Sequence, residues 1–421
     1  MSHESTIEID LDALVRNVGR LRAEVGRHCG LCAVVKADAY GLGAPALAST
    51  MVRAGVDMLA VYNAAQAEAL ADLELRVPIL ALMPIRSIPR GSRLHQLALA
   101  KRLHLVAHDL SHTQSLGAIA DALGLRLPVH FEFDSGMSRG GCCGAEAEEV
   151  VAAIGAHAGL ELAGVMTHFS DARLDPVRTA RQLEELDSFV RRAGASIPKE
   201  CVVHAANSHA LLRDHDTHRS MVRFGLAWTG LASDELPLAR AGDGADAFEP
   251  IVRWMSRIVQ VRRVEAGQSV GYGSLWTAAR RSTIGLVPVG YADGFPSTPG
   301  TGSAVTGPAV RVRGTAGGWF VAPLVGAVNM DQVAVDLTES SVWSTDPQRA
   351  LHASVEVYGT DRSAPTHVRR VAELAGIRPY ELFCRLSPRI PRSHMASRDG
   401  DLARLESGAT PESRGVQARL A

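Results

Sequence analysis

Short apolar runs recur along residues 1–230, separated by stretches in which apolar residues return every three or four positions. The runs are LCAVVK (31–36), DMLAVY (57–62), VPILAL (77–82), LHLVAH (103–108), LPVHFEFD (127–134), LELAGVMTH (160–168), CVVHAA (201–206) and MVRFGLA (221–227). Their length and branched side chains read as buried strands, and spacers such as APALASTMVRAG, AAQAEALADLEL and AEAEEVVAAIGAH carry the helical period. A first helix is predicted from Asp10 as N-cap, with Leu11, Leu14, Val15, Val18 and Leu21 on one face. Eight βα units in so short a span predict an α/β fold, a closed (β/α)8 barrel. An open, doubly wound sheet is the structural alternative.

The texture changes after Gly230. LASDELPLARAGDGADAFEP (231–250) has the composition of a linker, and the segments after it (IVRWMSRIVQVRRV, STIGLVPVGY, AVRVRGTAGGWF, DQVAVDL) read as strands, with one helix near 366–376. The expected organisation is a barrel over 1–235, a mainly β domain over 236–392, and a polar, unpatterned tail over 393–421 expected to be disordered.

Composition narrows the function classes. The 421 residues are 46% hydrophobic and 21% charged with a formal net charge of -1, enough chain for two or three cores. Near-neutral charge gives no electrostatic footprint for nucleic acid or an anionic membrane. No run reaches membrane-spanning length and MSHESTIEIDLDALVRNV lacks a signal-type apolar region, so a cytoplasmic protein without membrane or nucleic-acid partners is expected. Six scattered cysteines do not make a disulfide framework. CGLC (29–32) precedes a strand, where a redox motif would follow one, and RDHDTHR (213–219) lacks a metal-ligand spacing; no metal site is expected.

In a barrel of this type chemistry gathers at the carboxyl ends of the strands. Read in order, those ends carry Lys36, Arg139, His168, Asn207 with Ser208, and Arg223 with Gly225. A lone histidine such as His168 is more often a satisfied core residue, and an arginine at a barrel rim is more often an ion-pair partner. An amine, two guanidiniums, an imidazole and small hydrogen-bonding groups, at the ends of the first and the fifth to eighth strands, argue instead for groups converging on one mouth. A lysine ending a buried strand is costly unless paired or used chemically.

The stretches VVKADAYGLG, FDSGMSRGG, GVMTHFSDA, HAANSHALL, MVRFGLA, VGYGSLWTA, PVGYADGFP, VGAVNMDQVAVDL and YELFCRLSPRIPR resemble, in order, the motifs of alanine racemase, from about residue 7 to residue 392. The resemblance implies a barrel and a β domain, pyridoxal 5'-phosphate as cofactor, a small amino acid as substrate and a homodimer with shared active sites. It implies that Lys36 binds the cofactor covalently and then serves as a base on one face of the substrate. Tyr272, lent across the dimer interface, matches the acid or base on the other face, with His168 and Arg223 behind it. Arg223 matches the group facing the pyridine nitrogen; Tyr40, Ser208, Gly225, Leu226 and Tyr380 match phosphate-binding positions. Arg139 and the partner's Met330 N–H match the substrate carboxylate site, with Asn329 beside Met330.

Departures from the family pattern bear on specificity. Where many relatives carry a lysine modified to a carbamate stands Glu132, expected to hold Arg139 directly. Asn329 replaces a common Cys or Ser, Ala327 a usual Arg, and Thr229 a frequent Tyr. The leading expectation is a two-base racemase (Lys36 and Tyr272) interconverting L- and D-alanine. A broad-specificity or serine racemase on the same scaffold, or a non-catalytic cofactor-binding or regulatory protein, remain as alternatives.

Overall fold

A computed structural model describes residues 4–231 and 248–396. A first strand, β1 (Thr6–Asp10), leads into helix α1 (Leu11–Val25). The next strands are β2 (Gly30–Val34), β3 (Met58–Val61), β4 (Ile79–Ala81), β5 (Leu103–Ala107), β6 (Leu127–Glu132), β7 (Leu160–Met166), β8 (Val202–His204) and β9 (Met221–Phe224). These eight pair in parallel and in chain order, and β9 returns to β2 with Cys32 opposite Arg223. The chain closes a barrel rather than an open sheet.

Contacts divide the described chain into a barrel unit (Asp12–Ala39, Gly43–Glu249) and a β unit (Met1–Leu11, Tyr40–Leu42, Pro250–Met395). Side chains on a strand alternate between its faces. Cys32, Met58, Ala60, Leu80, Val106, Met166, Val202 and Met221 meet in one buried cluster, one or two from nearly every barrel strand. Their positions fix which residues face inward further along each strand. The barrel strands are short, four to seven residues with two of three, so each contributes only one or two apolar layers before its polar end.

The β unit is built on a sheet in which most strands pair antiparallel. β1 lies between β10 (Val252–Arg257), antiparallel to it, and a last strand at Arg392–Met395, parallel to it. Ile7 and Ile9 are fully buried, as the alternation in TIEID requires. The strand at Arg392–Met395 runs past residue 392, where the sequence pattern fades into polar positions. Its partner lies at the opposite end of the chain, so nothing local signals it. The remaining expected tail, residues 397–421, and most of the linker, residues 232–247, lie outside the described residues.

A buried ion pair ties this sheet together. Glu356 receives Arg311 Nε and Nη2 at 2.9 Å each and the Thr366 hydroxyl at 2.6 Å, while Arg311 Nη1 reaches Asp361 at 2.6 Å. Breaking a buried pair by removing one partner costs about 3–5 kcal/mol, because the other charge stays buried alone. Glu356→Ala is therefore expected to lower the urea midpoint of the β unit's unfolding transition markedly. A midpoint equal to wild type would contradict this.

Candidate active site

Strand alternation assembles the barrel's share of the site. Two residues beyond the buried Met221 comes Arg223, two beyond Met166 comes His168, and two beyond Val34, which packs on the same cluster, comes Lys36. The inward face that is apolar in the barrel's middle becomes cationic at its carboxyl end.

Arg223 is buried, and every partner it has among the described residues is neutral. Nη1 donates to His204 Nδ1 at 2.9 Å and His204 O at 3.0 Å; Nη2 donates to Thr167 O at 2.6 Å, Ala205 O at 3.2 Å and His168 Nδ1 at 3.2 Å. No ion pair joins it to a carboxylate among the described residues. Burial lowers its pKa, yet a guanidinium keeps its proton in proteins. All five contacts use the two terminal nitrogens, so Nε is the one N–H without a partner among the described residues.

A guanidinium can only donate, so His168 must accept on Nδ1. A neutral His168 then carries its proton on Nε2. It is held neutral: burial first, then Arg223, Arg139 and Lys36, push its pKa down to about 3. Three cations thus act on one half-buried imidazole, which places Lys36, Arg139, His168 and Arg223 in one electrostatic neighbourhood.

Lys36 opens the segment Lys36–Gly41, whose backbone is unusual. Ala37, Asp38, Ala39 and Tyr40 have φ of 53°, 54°, 51° and 59°, a left-handed turn made of residues with side chains. Such a conformation costs about 1–2 kcal/mol per residue. The Ala39 N–H bonds to Val35 O at 2.9 Å, and Asp38 anchors the exit by accepting the Ala44 N–H at 2.7 Å and the Gly43 N–H at 3.0 Å. Strain of this kind persists where the surroundings over-determine it and is typical of functional sites.

The expected phosphate groups fall in both units. Ser208 Oγ accepts the N–H groups of Gly225 and Ala227 at 3.0 and 3.2 Å, which clamps the turn carrying Leu226 to the start of helix Ser208–Arg213. Within the β unit, Tyr40 and Tyr380 have ring centroids 6.2 Å apart, and Tyr380 Oη accepts from Arg378 at 2.8 Å.

Around Arg139, expected to meet the substrate carboxylate, the structure differs in one detail from expectation. Glu132 pairs with His108, whose Nδ1 stands 2.8 Å from Oε2, and no ion pair joins Glu132 to Arg139 among the described residues. The direct hold expected of Glu132 on Arg139 is corrected on this point. The glycines after Arg139 explain why: a Cβ on Gly140 would stand 2.8 Å from Glu132 Oε2, and one on Gly141 only 2.3 Å from Glu132 O. The backbone itself is packed on the glutamate, and Arg139 projects from it as an exposed side chain.

Tyr272, Asn329 and Met330 lie in the β unit. The Tyr291 and Ala292 N–H groups bond Asn329 O and Met330 O at 3.1 and 3.0 Å, and a Cβ on Gly290 would stand 2.2 Å from Met330 O. Asn329 Oδ1 is buried without a hydrogen-bond partner among the described residues. Tyr272 is 78% exposed and Met330 55% exposed. His108, His130 and His204, all buried and hydrogen-bonded on the barrel's inner face, had no role in the sequence reading. The available signal was a polar residue at the inward parity of an apolar strand. Cys29 and Cys32 are free and buried, with thiols pushed up to about 11 and about 12, chiefly by burial.

Burial also drives His104 down to about 4, and His130 and His204 well below the ordinary value. Above the ordinary histidine pKa of about 6.5, these three and His168 are neutral whether the chain is folded or not. Below it the unfolded chain binds protons that the folded barrel refuses, so stability falls as pH drops. The expected slope is about 1.4 kcal/mol per pH unit for each histidine, until the folded pKa is reached. Urea midpoints that fall steeply between pH 7 and pH 5 are expected, and a flat profile would contradict it.

The family models "Alanine racemase, N-terminal domain" and "Alanine racemase, C-terminal domain" match residues 9–233 and 251–394. The alanine racemase of Treponema pallidum is 33% identical over 401 residues, 92% of this chain and 98% of that one. The solved alanine racemase of Streptomyces coelicolor superposes with a TM-score of 0.77 at 29% identity, over 94% of this chain and 98% of that one. That of Bartonella henselae, solved with covalently bound pyridoxal phosphate, gives a TM-score of 0.75 at 23% identity, over 94% and 100%. Both halves of the chain are matched, at the barrel and at the β unit alike, and the chain belongs to the alanine racemase family.

Proposed function

We propose that this protein is a pyridoxal-phosphate-dependent racemase that interconverts L- and D-alanine, working as a cytoplasmic homodimer with shared active sites. The observation that carries the reading is the neutral imidazole of His168 with Lys36, Arg139 and Arg223 acting on it at the barrel's strand ends. A site with two fixed cations and an amine suits a substrate that brings a carboxylate and a cofactor that brings a phosphate.

The residues fit that cofactor by the chemistry of their donors. Arg223 keeps Nε free of partners among the described residues, while Ser208 clamps the turn at Gly225 and Leu226. When bound, pyridoxal phosphate supplies an aldehyde for attachment to an amine and a conjugated ring that draws electrons from the substrate Cα. Lys36 Nζ would hold the cofactor and, once freed, would take or return the Cα proton on one face of the substrate. Tyr272 of the partner subunit does the same from the other face, so one proton leaves as another arrives and the Cα is inverted. Neutral His168 turns its Nε2–H toward that phenol oxygen and steadies the charge left when the proton departs. Arg139 binds the substrate carboxylate in a fork, with the N–H of the partner's Met330 beside it. Arg223 would offer its Nε–H to the ring nitrogen of the bound cofactor, and a guanidinium, which gives up no proton, would leave that nitrogen unprotonated and the ring a weaker electron sink. Tyr40 and Tyr380 supply hydroxyls to the phosphate. The Asn329, Ala327 and Thr229 substitutions leave a serine or broad-specificity racemase as the second reading.

Two inactive variants test the shared site in one experiment. Lys36→Ala and Tyr272→Phe are each expected to form no D-alanine from L-alanine and to exchange almost no Cα hydrogen for solvent deuterium. Mixed after subunit exchange, half the dimers carry one intact site, and about a quarter of wild-type activity returns. No recovery on mixing would contradict the shared site. Wild-type protein loaded with cofactor that exchanges no deuterium would contradict the racemase itself, and exchange of serine as fast as alanine would favour the second reading.

A further inference from the structure

Arg223 is one end of a longer series of contacts inside the barrel. Beyond His204, whose Nδ1 it meets at 2.9 Å, His204 Nε2 lies 2.9 Å from His130 Nδ1, and His130 Nε2 lies 2.9 Å from His104 Nδ1. His104, His130 and His204 are all buried, so each bond is dry. The direction of the series follows from its first member. Arg223 cannot accept, so His204 accepts on Nδ1 and carries its only proton on Nε2. That proton points at His130 Nδ1, which leaves the His130 proton on Nε2, pointing in turn at His104 Nδ1. Three neutral imidazoles stand head to tail, each with its lone pair turned back toward the guanidinium.

The backbone makes room for this arrangement. β7 runs between β6, which carries His130, and β8, which carries His204. The His130–His204 bond has to pass over β7, and the residue paired with His130 there is Gly164. A Cβ on Gly164 would stand 2.2 Å from His130 Nδ1. The β6–β7 register also shifts between Val129 and His130. Any side chain at position 164 would break the series at its middle bond.

We propose that His104, His130 and His204 are positioning residues for Arg223: a relay of aligned imidazoles that fixes the guanidinium's rotamer and offsets its burial without adding a negative charge. The proposal deepens the racemase reading, because its consequence for catalysis rests on Arg223 facing the cofactor ring. A carboxylate in place of the relay would hold Arg223 as well but would cancel the charge that the site's anions require. The other groups that act on Arg223 are Cys32, a buried thiol held protonated by its burial, and Glu132 and Arg139, whose charges oppose one another; none replaces the relay.

The test is nitrogen NMR on the holoenzyme with 15N-labelled histidine, from pH 5.5 to pH 8.5. His104, His130 and His204 are each expected to show a protonated Nε2, a bare Nδ1 and no titration. His104→Leu removes the last acceptor and is expected to shift the His204 resonances, alter the absorbance of the bound cofactor, and lower kcat roughly three- to tenfold with KM little changed. His104→Asn, whose Oδ1 can replace Nδ1, is expected to restore all three. A proton on Nδ1 of any relay member, titration within the range, or a His104→Leu protein with unmoved His204 resonances would overturn the relay. Because the wild-type spectrum reads no turnover, these results separate failure of the relay from failure of the racemase reading, which would appear as correct tautomers without D-alanine.

Discussion

The site is organised around one guanidinium that is buried without a counter-ion among the described residues. Taking such a group out of water costs several kcal/mol, and the usual remedy is a carboxylate. Arg223 is solvated instead by three backbone carbonyls and two imidazoles. Hydrogen bonds to a charged donor contribute about 1.5–3 kcal/mol each, enough to hold the group. The positive charge itself is left standing. It repels protons from His168, fixes the hydrogen on Nε2 of that ring, and favours anions nearby. A carboxylate partner would have cancelled the first and the last of these effects.

That constraint reaches into the fold. A cation can sit inside a barrel only where the strands run out of apolar layers, and the inward positions change from apolar to polar within two residues on β9 (Met221 to Arg223) and β8 (Val202 to His204). On β2 the same change delivers Lys36, and the chain then enters a left-handed turn of four residues with side chains. Alanine and tyrosine tolerate such a turn poorly, so the bonds made by Asp38 and Val35 and the burial of Ala39 have to outweigh its strain. Rigidity at the start of the turn keeps the lysine amine in place, as the proposed alternation between attachment and proton transfer would need.

Much of this was legible in the sequence because it is local. Eight apolar runs gave eight barrel strands, and the strand ends gave Lys36, His168 and Arg223. What could not be read depends on pairing across the chain. β1 is a strand only because β10 and residues 392–395 lie beside it. His104, His130 and His204 each look like an isolated polar interruption until the strand order brings them together. Glu132 shares a strand face with His130 and Asp134, yet the three have separate partners: His108, its neighbouring histidines, and the N–H groups of Gly136, Met137 and Ser138. Parity gives the face, and only the register gives the contact. The turn after Lys36 is illegible for another reason, since nothing in ADAYG favours positive φ ahead of its glycine.

Replacing the obligate donor by an acceptor tests the central claim most directly. In Arg223→Glu the carboxylate would reverse the hydrogen bonds, draw protons onto Nδ1 of His168 and His204, and favour a protonated ring nitrogen in the bound cofactor. The quantity to measure is pyruvate formed per D-alanine formed from L-alanine by the cofactor-loaded variant. The account predicts a large rise in that ratio, with racemisation slowed; a folded variant whose ratio matches wild type would contradict it.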